Sequence, residues 1–259
     1  MRLIISPAKQ MRLNDDDIGD FGRLTRPVFL ERAEVLRSRL AALNLEELTR
    51  LLKCNERIAA LNYRRYQEMD LSRNLSPALL SYVGIQYQYM APDVFTERQY
   101  AYVRDRLKIL SGLYGLLRPF DGIVPYRLEM QAPLSVGGKK DLYGYWGDAI
   151  SRALMEEAED GIILNLASRE YAKTVEPYLS PSFRLIHCVF GERGKDGKIR
   201  VKGTQAKMAR GEMVRWLAER GTDRLEELKE FDGLGYRYSA EESAGNTAVF
   251  IKKEGLNQP

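Results

Sequence analysis

Four stretches of this sequence hold residue types from which a phosphate or base site can be built. The densest is Leu110-Ser111-Gly112-Leu113-Tyr114-Gly115-Leu116-Leu117-Arg118-Pro119-Phe120-Asp121, followed by Pro125-Tyr126-Arg127-Leu128-Glu129-Met130. Gly112 and Gly115, behind an amphipathic stretch, permit a tight hairpin whose backbone N–H groups can meet a phosphate. Between two helices such a hairpin is a helix-hairpin-helix, which grips a nucleic-acid backbone without reading bases. A plain turn between helices accounts for the same letters. Arg118 and Arg127 can each fork onto phosphate, or be neutralised by Asp121 and Glu129 as an internal ion-pair network.

The second stretch, Asp141-Leu142-Tyr143-Gly144-Tyr145-Trp146-Gly147-Asp148, sets three aromatic rings ahead of a helix that Asp148 can cap. The rings can stack an unpaired base beside a carboxylate acting as general acid or base, which makes Asp148, with Tyr114 and Tyr171, the candidates for catalysis and Trp146 a candidate pocket wall. Core packing with a helix cap is the alternative. In the third, an apolar strand over 162 to 166 runs into Asn165-Leu166-Ala167-Ser168-Arg169-Glu170-Tyr171-Ala172-Lys173. Polar groups past the carboxyl end of a buried strand are where α/β proteins place ligand contacts, so Asn165, Ser168, Tyr171 and Lys173 are candidates, against strand exit and capping. In the fourth, Lys207 and Arg210 lie three apart on a predicted helix and can point two cations into one cleft, or sit on an ordinary exposed basic face.

The elements that must position these residues follow from periodicity. Leu3-Ile4-Ile5 reads as a strand stopped by Ser6-Pro7, and a polar loop with Asn14-Asp15-Asp16-Asp17 leads into helices over 27 to 43, over 45 to 53 behind the capping box Asn44-x-x-Glu47, and through Ile58, Leu61 and Tyr66. Residues 82 to 89 read as a strand. Thr96-x-x-Gln99 opens a helix carrying Tyr100, Val103, Leu107 and Leu110. A helix over 148 to 159, a hairpin of 183 to 190 with 198 to 203 around Gly194-Lys195-Asp196-Gly197, helices over 206 to 220 and 223 to 230, and strands near 236 to 239 and 247 to 252 complete the pattern. No repeat or linker divides it. The expectation is one α/β (α+β) domain over 1–259, a mixed sheet covered by helices, with 254–259 as a flexible tail.

Composition narrows the function. With 259 residues, 44% hydrophobic and 29% charged, the chain is globular, and no run approaches the roughly 18 apolar residues of a membrane span. No membrane partner and a cytoplasmic location are expected. Cys54 and Cys188 are far apart and outside any CxxC pair, which predicts reduced thiols. His187 is the sole histidine, so a His/Cys zinc site or a Ser-His-Asp triad elsewhere is hard to assemble, and neither metal nor cofactor is expected. Residues 195 to 215 hold Lys195, Lys198, Arg200, Lys202, Lys207, Arg210 and Arg215 against Asp196 and Glu212, seven minus two or +5 against +4 for the whole chain. Such a window suits phosphate or is a solvated face.

The segments above, together with Ile5-Ser6-Pro7-Ala8-Lys9 and Ala206-Lys207-x-Ala209-Arg210-Gly211, resemble in order and over essentially the whole chain the YaaA family of bacterial peroxide-stress proteins. The resemblance implies a compact α/β fold with a positively charged cleft and a helix-hairpin-helix, here over 107 to 120 with Gly112 and Gly115 in its hairpin. It also implies binding to duplex, bubble-containing and branched DNA, a place in the oxidative-stress response, and a link to DNA repair and low free iron, with DNA-repair proteins as further candidate partners. It carries over no reaction and no catalytic residue.

The leading expectation is therefore a DNA-binding protein using Lys9, Gly112, Gly115, Arg118, Arg127, Lys173, Lys207 and Arg210 for phosphate, with little sequence specificity. The alternative is an enzyme acting on a nucleobase or nucleotide in the same cleft, lined by Trp146, Asn165 and Ser168. Direct iron binding has no ligand spacing to support it.

Overall fold

The computed structural model describes residues 1–13 and 23–253. The acidic run Asp15-Asp16-Asp17 and the expected tail at 254–259 lie outside the described residues. The chain opens with β1 (Arg2–Ile5) and β2 (Gln10–Met11), passes through α1 (Leu30–Ala41), α2 (Leu45–Leu52) and α3 (Glu56–Glu68), and reaches the short elements β3 (Ser76–Pro77), α4 (Ala78–Ser81), β4 (Tyr82–Val83) and α5 (Ile85–Met90). Helix α6 (Glu97–Arg106) runs into β5 (Leu107–Ser111), β6 (Gly115–Leu117) and β7 (Gly122–Ile123). Then come α7 (Leu142–Trp146), α8 (Ala149–Glu157), β8 (Ile162–Leu166), α9 (Arg169–Ala172), β9 (Arg184–Arg193), β10 (Ile199–Arg200), α10 (Gly203–Arg220), β11 (Tyr236–Tyr238) and β12 (Thr247–Lys252).

The main sheet has the order β11-β12-β9-β8-β1-β5-β6, with β10 paired to β9. Its inner five strands, β12, β9, β8, β1 and β5, are parallel, whereas β11 and β6 close the edges antiparallel. Leu3, Ile4 and Ile5 are wholly buried between β5 and β8, as a central strand of a helix-flanked sheet requires. In chain order the five parallel strands lie 2-1-3-4-5. The chain steps from β1 to β5 on one side, then crosses back to β8 on the other. That doubly wound arrangement opens a crevice at the carboxyl ends of β1 and β8, where the direction of winding reverses. Helix α10 packs on α5, α6 and β9.

Both predicted capping boxes form: Asn44 with Glu47, and Thr96 with Gln99. Two expectations fail at boundaries. Residues 82 to 89 hold only the two-residue strand β4, paired with β2, before Gly84 breaks the run and α5 begins; their tyrosines and β-branched residues imitate a strand. The helix opened by Thr96 stops at Arg106, because Leu107-Lys108-Ile109-Leu110-Ser111 is a fully buried parallel strand. Leu107 and Leu110 continued the helical spacing across that boundary.

The same finding replaces the helix-hairpin-helix expected over 107 to 120. Those residues form an antiparallel β-hairpin, Ile109 opposite Leu117 and Ser111 opposite Gly115. Residues 225 to 230 are a 3₁₀ turn rather than an α-helix.

Candidate functional site

Ser6 immediately follows β1 and Ser168 stands two residues past β8. The Ser168 N–H donates to Ser6 Oγ at 2.8 Å, and the Ser6 hydroxyl donates to Ser168 Oγ at 3.3 Å. Helix α5 is tied to both strand ends: Tyr87 OH donates to the Ser6 carbonyl at 3.1 Å, and Gln86 Nε2 donates to the Leu166 carbonyl at 3.3 Å. Helix α10 crosses α5 at a distance only glycine allows, since a Cβ at Gly211 would stand 2.0 Å from the Gln86 carbonyl oxygen. A glycine inside a helix costs about 1 kcal/mol relative to alanine, and the close crossing is its compensation. Lys207 and Arg210 are thereby carried to the crevice.

The facing wall is the segment 126–129, and the glycine-rich motif holds it in place. A Cβ at Gly112 would lie 2.3 Å from the Leu128 carbonyl oxygen, so the β5–β6 turn packs directly on that backbone. Ser111 Oγ and the Tyr82 hydroxyl both hydrogen-bond the Tyr126 hydroxyl, at 2.6 and 2.8 Å, and Tyr66 OH donates to the Arg127 carbonyl. Tyr82, Tyr87, Tyr114 and Tyr126 form a chain of ring contacts in this wall.

Between the walls lies a cleft of about 470 Å³, inside the range of about 300–1,000 Å³ usual for ligand sites. Its charged lining comprises Lys9, Arg127, Lys207, Arg210, Glu129 and Glu170, four cations against two carboxylates. Glu129 is shared: its Oε1 lies 2.9 Å from Lys9 Nζ and 3.1 Å from Arg127 Nη2. Glu170 is held by the Gln131 N–H at 3.2 Å. Burial pushes its carboxyl above the usual glutamate range, and the charge of Glu129 acts in the same sense, while the Gln131 and Met130 N–H groups and Lys9 pull it back. Burial disfavours the charge on Arg210, which lies beside Cys188. Among the described residues, the buried Nε atoms of Arg127 and Arg210 have no hydrogen-bond partner.

Of the residues predicted from sequence, Lys9, Arg127, Ser168, Tyr171, Lys207 and Arg210 line this one cleft. The others do not. Arg118 is bound to the fully buried Asp121, its Nε 3.0 Å from Oδ1, and to the Arg26 carbonyl, so its ion pair is structural. Gly112 and Gly115 are buried in the hairpin turn, and a Cβ at Gly115 would meet the Trp146 ring at 2.7 Å. Their backbone is packed against protein and closed to phosphate.

Trp146 is a core residue, 1% exposed, donating from Nε1 to the Gly112 carbonyl at 3.0 Å. Asp148 makes no side-chain cap; it pairs with Arg152 at the surface, away from the cleft, and Asp141 is the residue that caps α7 through the Gly144 N–H. Tyr114 is buried, its hydroxyl accepting from the Val124 N–H at 3.3 Å. Asn165 accepts from the Ala167 N–H and donates to His187 Nδ1, both at 2.9 Å, shaping the strand exit rather than the cleft. Lys173 is exposed outside the cleft lining.

Three of the seven cations in the basic window from 195 to 215 are held in surface pairs: Arg200 with Asp196, Lys202 with Glu192, and Arg215 with Glu219. Glu170, Ser6 and Gln86 have positions in the cleft that sequence reasoning assigned to none of them. Glu170 lies two residues beyond Ser168 on the same strand exit.

The cleft gathers onto one site the strings Ser6 to Lys9, Tyr126 to Glu129, Ser168 to Tyr171 and Lys207 to Arg210, and comparison with known proteins shows how widely the whole chain is shared. A UPF0246 protein of Desulfitobacterium hafniense is 52% identical over 97% of this chain and 98% of its own length. UPF0246 proteins of Lactiplantibacillus plantarum and Pediococcus pentosaceus are 49% and 46% identical, over 97% and 98% of this chain and 99% of each relative. The family model described as peroxide stress protein YaaA matches residues 1–242, so nearly every element described above falls within it, and the chain belongs to that family.

Proposed function

We propose that the chain serves the peroxide-stress response by binding DNA through phosphate contacts in this cleft, with little sequence specificity. The observation that carries this reading is the convergence of Lys9, Arg127, Lys207 and Arg210, from three separate segments, on one cleft that holds four cations against two carboxylates. Hydrogen bonds between arginine or lysine and a phosphate oxygen are charge-assisted, roughly twice as strong as neutral ones. Duplex, bubble and branched DNA all present such oxygens, so backbone contacts alone accommodate all three. Protection against peroxide then acts at DNA, with repair proteins as its natural partners.

The test is a fluorescence titration of labelled duplex, bubble and branched DNA across a salt series. Two to four phosphate contacts give a slope of log affinity on log salt of about −2 to −4. The double variant Lys207→Ala/Arg210→Ala is expected to weaken binding at least tenfold and to reduce that slope by about 1–2. Binding that ignores salt, or that survives the double substitution unchanged, overturns the reading.

A further inference from the structure

We propose that the cleft takes one nucleotide unit at a time, its phosphate on Arg127 and Arg210 and the exocyclic amino group of its base on the Glu170 carboxylate. This rests on the phosphate reading above and goes past it to a substrate class.

Size comes first. A volume of about 470 Å³ is a cube about 8 Å on a side. The paired bases of a duplex, whose major groove alone is about 12 Å wide, stay outside such a space while its backbone phosphates meet the rim, whereas a single nucleotide enters it. Location agrees, because a crevice beyond the carboxyl ends of parallel strands at the reversal of winding is where doubly wound sheets hold nucleotides.

The lining is of mixed charge. A site for phosphate alone gains nothing from carboxylates. Glu129 is accounted for by Lys9 and Arg127, but Glu170 has no ion pair with a cation among the described residues and is held only through backbone N–H groups. It is an acceptor on the cleft wall with capacity left, and a carboxylate is the side chain that accepts from the amino group of cytosine. Tyr87, Tyr126 and Tyr171 add aromatic surface to the same cleft. The nucleotide can come from two sources: a free mononucleotide, or one turned out of a DNA strand.

Calorimetric titration of the full chain with dCMP, dTMP and deoxyribose 5-phosphate tests the site, and a duplex carrying an unpaired 2-aminopurine distinguishes the sources. The expected result is dCMP binding about tenfold tighter than dTMP or the base-free phosphate, with Glu170→Ala collapsing that preference to within about twofold and Arg210→Ala weakening all three ligands. Glu170→Gln keeps the volume and one acceptor, so it retains part of the preference and guards against a variant that merely misfolds.

A rise in 2-aminopurine fluorescence on binding supports a nucleotide taken from DNA; tight dCMP binding without that rise supports the free nucleotide. Salt-sensitive DNA binding with no preference among the three small ligands overturns this inference and leaves the phosphate reading standing. Preferential dCMP binding without DNA binding does the reverse. A preference that survives Glu170→Ala in a folded protein removes Glu170 from the site.

Discussion

The backbone N–H of Ser168 donates to Ser6 Oγ across 2.8 Å, joining the exits of β8 and β1 at the point where the winding of the sheet reverses. The Ser6 carbonyl accepts from the Tyr87 hydroxyl of α5, so Ser6 links two strands and a helix at the floor of the cleft. Ser6→Ala removes the acceptor and leaves a half-buried N–H to water. The expected loss is about 1 kcal/mol in urea unfolding, with several-fold weaker phosphate binding as the two exits relax. Stability lost without any change in binding would make the bond purely structural.

Gly211 supplies a second test, because its neighbour is backbone and cannot swing aside. Alanine would ordinarily stabilise a helix interior by about 1 kcal/mol, yet here its Cβ meets the Gln86 carbonyl at 2.0 Å. Forced separation of packed elements costs about 1–3 kcal/mol. Gly211→Ala is therefore expected to lower the melting temperature and, by shifting α10, to displace Lys207 and Arg210 and weaken phosphate binding. An unchanged or raised melting temperature would show that α5 yields.

How much of this was legible in the sequence depends on the range of the forces involved. The capping boxes at Asn44 and Thr96, the buried strand ending at Leu166 and the hairpin turning at Gly197 are local, and their letters show them. The hairpin at Gly112 is legible as a turn but not as a β-turn. Whether Leu107 to Leu110 is helix or strand is decided by pairing with Leu3 to Ile5, more than a hundred residues earlier. The two aromatic motifs misled for a related reason: Trp146 and Tyr114 have the types a base-stacking site needs, but Gly112 and Gly115 are small so that the protein itself can pack there. Glu170 was invisible as a ligand group, because its meaning comes from Glu129 lying opposite.

Arg118 separates stability from binding. Asp121 is fully buried, accepts from Thr25 and from the backbone and side chain of Arg118, and has its carboxyl pushed up by burial against those partners. A carboxyl raised in the folded state contributes stability that is present at acid pH and lost as pH rises through its folded value. Removing a partner raises it further, so the deficit of Arg118→Ala is expected to grow from pH 4 toward pH 7. Because the arginine is over a third exposed, the neutral-pH loss is about 1–2 kcal/mol rather than the full cost of a buried pair. Urea unfolding across that range checks the sign, and DNA affinity should stay at the wild-type level. Weakened binding in a folded variant would return Arg118 to the phosphate site.

In a peroxide-stress family the cysteines invite a sensing role, and their surroundings argue against it. Peroxide attacks the thiolate, and thiolate forms where positive charge and solvent lower the pKa. Cys188 is in the core, where burial pushes its thiol up to about 12 even with Arg210 alongside. Burial also raises Cys54, more than the Arg127 charge lowers it. At pH 7.5 the thiolate fraction of Cys188 is below about one in ten thousand. The expectation is that iodoacetamide and dilute hydrogen peroxide modify native Cys188 at a rate set by unfolding, and native Cys54 more slowly than free cysteine, with both labelled rapidly in urea. Peptide mass spectrometry reads both sites in one digest. Native Cys54 reacting faster than free cysteine would make it a redox centre, and the response to peroxide would then begin at the thiol beside Arg127 rather than at DNA.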